Sequence, residues 1–406
     1  MTIPTRAIRT RAIALATAAL LLAGCTASPA TDQTPVAVDP AGSVDIGHLD
    51  SKFPEMSNPE VDAQSYDLVL DWDGTTLVGS ATIKLRVGQD TPTLRLNLYH
   101  ALEVTEASLD GVPVTWTADE ISVTFDTGQL FADDRHTLVI DYAGTPQAAP
   151  IDADRLDMAA GLGWIEDPET GWVSTVGEPY GSLTYYPVNE AVWDEAYYTA
   201  QITAPPGMVA VFNGPLLAME EIDGRTVTTW GADQPISPYL VVLAISNYQS
   251  ETRDFDGTPY TIWWQPEFDH QVDEMWAASQ RTWDWLTQRL GEYPFSTAGF
   301  VLTGEDSALE TQGMISMGAN VMSSYFEETL LHEMAHQWFG NAVTPADWRD
   351  LWLSEGWAMY LEAEYGDYGP PEAFGNWCAS DVGQSGQAGD YKPTAFANDN
   401  VYVCPI

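Results

Sequence analysis

His332-Glu333-Met334-Ala335-His336 is the densest concentration of metal chemistry in the sequence. On a helix, positions i and i+4 share one face, so both imidazoles reach a single metal ion. Glu333, beside the first ligand, is placed to take a proton from water activated at that site. The chain has only six histidines, and two of them are in this pentapeptide. A catalytic zinc usually takes three protein ligands and leaves a position open. Eighteen residues separate His336 from Glu355, in the run Trp352-Leu353-Ser354-Glu355-Gly356-Trp357-Ala358. Leu351, Trp352, Leu353 and Trp357 flank that acid with apolar bulk and are expected to bury it. A buried carboxylate requires a partner, and a metal supplies one. The expected centre is one Zn2+ per chain on His332, His336 and Glu355, with Glu333 as general base.

Helices must position these residues. Leu330, Leu331, Met334 and Trp338 supply apolar positions around the first two ligands, with no Pro or Gly before Gly340, which predicts a helix over 326–340. A second is expected over 350–365. Upstream, Val272, Met275, Trp276, Ser279, Trp283, Leu286 and Leu290 fall on one helical face, and Gly291 supplies a stop. Before residue 250 the period is two. Tyr66, Leu68, Leu70 and Trp72 alternate with Asp67, Val69 and Asp71, and Asp73-Gly74 marks a turn. Ala81, Ile83, Leu85 and Val87, then Leu94, Leu96 and Leu98, repeat the rhythm. Asp110-Gly111 marks another hairpin, followed by Ile121, Val123 and Phe125 and by Leu138, Ile140 and Tyr142. Short strands at this spacing predict an antiparallel β-domain over 53–250. Its turns continue at Pro205-Pro206-Gly207 and Asn213-Gly214. The fold class is α+β: a β-rich half, then a catalytic half over 251–406, packed together without a Pro/Gly/Ser-rich linker.

Charge excludes some partners. Fifteen Lys and Arg face 59 Asp and Glu, a formal net charge of −44. Such a surface repels phosphates, so no nucleic acid is expected as a partner. At the N-terminus Arg6, Arg9 and Arg11 precede the apolar run Ala12–Ala23, which ends in Leu22-Ala23-Gly24-Cys25. A basic region followed by a short apolar one is a secretory signal, here residues 1–24. Residues 25–52, rich in Thr, Ala, Pro and Asp, are expected to form a flexible tether. Cys378 and Cys404 remain, and two cysteines alone do not establish a pair.

Two resemblances extend this reading. Leu22-Ala23-Gly24-Cys25 resembles a bacterial lipobox, which implies lipidation of Cys25 and a place on the outer face of the cytoplasmic membrane or in the periplasm. His332–Asn341, then Val343-Thr344, then Trp348–Gly356 resemble the zinc-site blocks of the aminopeptidase-N-like gluzincin family. Tyr293-Pro294-Phe295 and Ser307-Ala308-Leu309-Glu310-Thr311-Gln312-Gly313 resemble its upstream blocks, the latter at the place of its exopeptidase motif. Gly177-Glu178-Pro179 and Tyr186-Pro187-Val188-Asn189 resemble a block before its β-domain core. The resemblance implies a saddle-like or sandwich β-domain, then a thermolysin-like α/β zinc catalytic domain.

It also implies that Glu310 holds a substrate's free α-ammonium. The changed neighbours of Glu310 leave side-chain preference open. Glu178 is a second candidate for amine recognition, or a solvated loop carboxylate. Tyr402, in Asn398-Asp399-Asn400-Val401-Tyr402, is the candidate for the family's oxyanion-donating tyrosine, or else a core or terminal tyrosine. The family continues where this sequence stops, so the catalytic domain reads as C-terminally incomplete. The expected function is a monomeric zinc aminopeptidase acting on peptides with free N-termini. The alternatives are a zinc endopeptidase of the same mechanism and an inactive zinc- or peptide-binding lipoprotein.

Overall fold

The computed structural model describes residues 47–150, 161–305, 307–319, 322 and 325–366. Eight strands come first: β1 (Val61–Trp72), β2 (Leu77–Val87), β3 (Thr91–Asn97), β4 (Leu102–Leu109), β5 (Val112–Pro113), β6 (Thr115–Ala118), β7 (Ser122–Leu130) and β8 (Arg135–Gly144). Seven follow: β9 (Gly163–Glu166), β10 (Val173–Val176), β11 (Tyr197–Thr203), β12 (Val209–Phe212), β13 (Leu216–Ile222), β14 (Arg225–Gly231) and β15 (Leu243–Ser246). They form an eight-stranded sheet in the order β13-β14-β11-β1-β2-β8-β4-β5, with a three-stranded sheet β3-β7-β6 and a four-stranded sheet β12-β15-β10-β9. The alternation in sequence is the burial pattern. Tyr66, Leu68, Leu70 and Trp72 are buried, and so are Ala81, Ile83, Leu85 and Val87. Asp110 and Gly111 take φ of 51° and 78° in the two-residue turn between Leu109 and Val112. That turn needs positive φ at both positions.

The remaining strands are β16 (Gln249–Phe255), β17 (Thr258–Trp264), β18 (Ala298–Thr303), β19 (Ala308–Leu309) and β20 (Ile315–Gly318), in one sheet ordered β16-β17-β18-β20-β19. β17, β18 and β20 run parallel, and every residue of β18 is buried, as a strand covered on both faces requires. Helix α1 (Val272–Leu290) buries Met275, Trp276, Ser279, Trp283 and Leu286 and stops at Gly291, φ 93°. Helices α2 (Phe326–Ala335) and α3 (Trp352–Tyr365) complete this half, which packs as a mixed α/β layer. Trp348 and Leu351, in the connection from α2 to α3, belong to the core of the β-rich half, whereas Ala358 and Leu361 of α3 belong to the second core.

Three expectations need correction. The first half is not wholly antiparallel, because β1 and β11 pair in parallel, Ser65 opposite Tyr197 through Asp71 opposite Thr203. More than a hundred residues separate their starts, ample for a crossover. The helix expected over 326–340 ends at Ala335 and passes into a distorted turn, Gln337–Asn341, where Phe339 (φ −118°, ψ 105°) and Gly340 (φ 117°) leave helical geometry. The tether expected through residue 52 does not extend that far: His48, Asp50 and Ser51 are hydrogen-bonded to residues 346–348. Asx-type bonds from Asp50, which neither composition nor periodicity reveals, fix the chain there.

Candidate metal centre and amine pocket

α2 presents His332, its C-cap His336 follows on the same face, and α3 brings Glu355 against them. The two Nε2 atoms are 3.1 Å apart. Glu355 Oε2 lies 3.5 Å from His332 Nε2, and its Oε1 3.6 Å from His336 Nε2. Ligand atoms at the corners of a tetrahedron, about 2.0–2.1 Å from zinc, stand about 3.3 Å apart. The donor set and its spacing therefore fit the ion. The far ring nitrogens support the same tautomers: His332 Nδ1 is 3.0 Å from Glu362 Oε2, and His336 Nδ1 is 3.0 Å from Ser354 Oγ and 3.1 Å from the Phe339 carbonyl. Hydrogen bonds donated at Nδ1 leave both Nε2 lone pairs converging on one point, which a cation relieves.

Burial gives these charges their strength. His336 is 1% exposed, Glu355 5% and Glu333 7%. Burial opposes a charge on either imidazole, but Glu355, together with Glu362 at His332, outweighs it and holds both histidines above their ordinary range. Glu355 is itself held far below the carboxylate range: burial works against its charge, and the two histidines more than compensate. Glu333 goes the other way, pushed up to about 8 by burial despite the neighbouring histidines. A carboxyl poised near neutrality suits a proton carrier.

Next to this trio stands a second cluster. Carboxylate oxygens of Glu178, Glu310 and Glu355 lie within 4.8 Å of one another, all three residues buried. Glu178 is thus no solvated loop acid. Glu310 follows β19, and its Oε1 has no hydrogen-bond partner among the described residues. Burial raises its pKa, the histidines lower it and Glu355 raises it again. Buried carboxylates at this spacing are stabilised by a cation or by protonation. The segment carrying Glu310 is bound to the histidine helix: Gln337 Nε2 donates to the carbonyls of Glu310 (3.0 Å) and Glu333 (3.3 Å), and Gln337 Oε1 accepts the Gly313 N–H at 2.9 Å. Asn341 Nδ2 donates to the Glu310 carbonyl at 2.6 Å.

His332, His336, Glu355, Glu333, Glu310 and Glu178 thus come together. Tyr402, Cys25, Cys378 and Cys404 lie outside the described residues. Sequence reasoning missed Glu362, Ser354 and Tyr239. Glu362 carried a signal, seven residues beyond Glu355 and so on the same helical face. Tyr239 carried none. It is buried, donates to the Gly340 carbonyl at 3.3 Å, and its hydroxyl is kept protonated by burial and by the charges of Glu310, Glu178 and Glu355.

The peptidase family M1 domain matches residues 302–391. Glutamyl aminopeptidase of Sus scrofa is 27% identical over 83% of this chain and 38% of its own length. Aminopeptidase 2 of Candida albicans is 26% identical over 73% of this chain and 34% of its own length. The chain thus spans less than half of these relatives. It matches aminopeptidase N of Acetobacter pasteurianus more fully, with 27% identity over 72% of this chain and 86% of that protein. Among solved structures, an M1 zinc metallopeptidase of Deinococcus radiodurans superposes with a TM-score of 0.75 at 25% identity, covering 87% of this chain and 83% of that one. The same enzyme bound to a Tyr-Ser-Ala substrate gives 0.73. Sequence blocks, architecture and site geometry agree in their resemblance to the aminopeptidase-N-like M1 peptidases.

Proposed function

We propose that the chain is a zinc-dependent aminopeptidase that releases residues from the free N-termini of peptides. The observation that carries this reading is the unpartnered carboxylate oxygen of Glu310 in a cluster that shares Glu355 with the metal-binding trio. In a peptide, the terminal nitrogen and the first carbonyl carbon are two bonds apart, about 2.5 Å. An ammonium held by Glu310 and Glu178 therefore presents the first peptide bond, and no later one, to the neighbouring metal position. An acetylated terminus brings no charge and leaves the buried Glu310 carboxylate without a counter-charge. This favours the exopeptidase over an endopeptidase of the same mechanism.

His332, His336 and Glu355 would hold Zn2+, which would supply a Lewis acid for the scissile carbonyl and lower the pKa of water. Glu333 takes the proton from that water and returns it to the leaving amine. Glu362 and Ser354 hold the two imidazoles in the tautomers that bind metal. Since both acidic clusters use Glu355, the reading is one ion per chain, and since every one of these side chains comes from one chain, a monomer suffices. Aminoacyl anilides with free amines, each beside its N-acetylated twin, test the proposal. Free-amine substrates should be cleaved, lose cleavage with chelator and regain it with zinc. Equal cleavage of the acetylated twins would falsify the amine-anchored reading.

The N-terminal pattern supports one further part of the proposal, a lipid on Cys25 holding the enzyme in a bacterial cell envelope. The full chain should partition into detergent, and Cys25→Ser should leave it in the aqueous phase.

A further inference from the structure

The first described residues form an arm, His48–Phe53, that meets the connection between α2 and α3 almost three hundred residues later. Asp50, 2% exposed, sits at the middle of the junction. Its Oδ1 accepts the N–H groups of Lys52 (2.7 Å) and Phe53 (2.9 Å), and its Oδ2 accepts the N–H of Trp348 at 2.8 Å. Asp347, 3% exposed, answers it. Asp347 Oδ1 accepts the Ser51 hydroxyl (2.6 Å) and the Arg349 N–H (2.9 Å), and its Oδ2 accepts the Ser51 N–H (3.1 Å). His48 Nε2 lies 2.9 Å from the Ala346 carbonyl, and the Phe53 ring meets Trp348 edge-on at 6.5 Å. Each strand of the junction thus supplies one buried carboxylate that takes up the other's backbone donor.

What this junction holds leads directly to the metal position. Trp348 opens the single turn Trp348–Asp350, and the carbonyl of Leu351 then accepts the N–H groups of Ser354 (2.9 Å) and Glu355 (3.0 Å). Trp348 is also fixed from its other side by Tyr239, edge-on at 4.9 Å. The first turn of α3 therefore takes its place from the arm. That turn carries Glu355, the anionic ligand, and Ser354, the partner of His336 Nδ1.

We propose that Asp50 and Asp347 are positioning residues of the metal centre, and that the arm His48–Phe53 holds Glu355 against His332 and His336. The proposal rests on the zinc reading of those three residues. Neither aspartate touches the metal position; they act through Trp348 and the start of α3. In the apo protein the arm keeps α3 docked, and in the loaded protein it slows loss of the ion.

The test uses the full chain and Asp50→Asn, Asp347→Asn and Ser51→Ala variants, with Ser57→Ala as control. Asp50→Asn can keep the turn to Lys52 and Phe53 while turning an amide N–H toward that of Trp348. Ser57→Ala removes the acceptor of the Asp50 N–H and leaves both Asp50 carboxylate oxygens their partners. Two readouts need no turnover: transfer of zinc to a chromogenic chelator, and hydrogen exchange of backbone amides in the metal-free protein. Both Asn variants should lose zinc about 10–100-fold faster than the wild type. Residues 346–356 should exchange faster while α1 stays protected. Ser51→Ala should be intermediate, and Ser57→Ala unchanged.

Wild-type zinc loss and wild-type exchange in both Asn variants would overturn the proposal. So would a uniform rise in exchange across α1 and α3, which marks a merely structural role. If the wild type binds no zinc at all, the zinc reading fails, and exchange in 346–356 alone decides whether the arm positions α3.

Discussion

Glu333 and Glu362 are carboxyls on either side of His332, and the fold asks opposite things of them. Glu333 is driven up to about 8 by burial. A carboxyl raised by burial can take up and release a proton, as the proposed general base would need. Glu333→Gln keeps the shape and removes that exchange. Zinc content should stay at the wild-type level while kcat falls about 10²–10⁴-fold, measured on any free-amine anilide that the wild type cleaves. A Glu333→Gln enzyme with wild-type kcat overturns the assignment. Glu362 instead accepts from His332 Nδ1 at 3.0 Å, at the ring nitrogen opposite the one that converges on Glu355. Replacing it by Gln weakens the bond that fixes the tautomer. The expected result is a loss of about 10–100-fold in zinc affinity, read by competition with a chelator. Once zinc is saturating, kcat should return close to the wild-type value, and that recovery separates Glu362 from Glu333.

At the scale of elements, the site depends on how β19, α2 and α3 are tied together. Gln337 joins the first two by donating to the Glu310 carbonyl and accepting from Gly313. Gln337→Ala should leave zinc content intact, since no ligand touches that amide. It should raise KM for free-amine substrates by about five- to a hundredfold, the equivalent of one or two buried hydrogen bonds. An unchanged KM would mean that Asn341 alone fixes the Glu310 strand. These ties also explain what the sequence could reveal. His332 and His336 were legible because i, i+4 spacing acts within one helix turn; Glu355 is buried as expected, but of its apolar flanks only Leu351 is buried, while Leu353 and Trp357 are exposed. Glu310 and Glu178 were legible through family resemblance alone, because nothing local tells a buried acid from a solvated one. The parallel pairing of β1 with β11 was hidden because alternation specifies a strand's faces and not its neighbour. The early end of α2 is a tertiary effect: the Phe339 carbonyl serves His336, and at φ 117° Gly340 stands so close to Ser354 that a Cβ would meet its Oγ at 2.3 Å.

For the whole molecule, a net charge of −44 makes pH and salt part of its stability. The exposed acids repel one another, and salt screens that repulsion. Buried acids behave differently. Glu190 is 2% exposed, accepts the Leu183 N–H at 2.6 Å through Oε1 and has no partner at Oε2 among the described residues. Burial raises its pKa from 4.5 to about 8. Asp194, also buried, is raised well above its ordinary value by burial and by the charge of Asp62. Between 4.5 and about 8 the folded chain therefore holds a proton on Glu190 that the unfolded chain has released. Stability must fall as pH rises through that window, by a few kcal/mol from Glu190 at the most. With chelator present to remove metal linkage, the unfolding midpoint should drop from pH 5 to pH 8, and Glu190→Gln should flatten part of the slope. Because the proton sits out of reach of counterions, the difference between wild type and Glu190→Gln should persist in about 1 M salt, where repulsion between exposed acids is screened. Equal slopes for the two proteins in high salt would mean that Glu190 is ionised in the native state, and the pH dependence would then belong to the other buried acids raised by burial, Asp194, Glu333 and Glu310 among them.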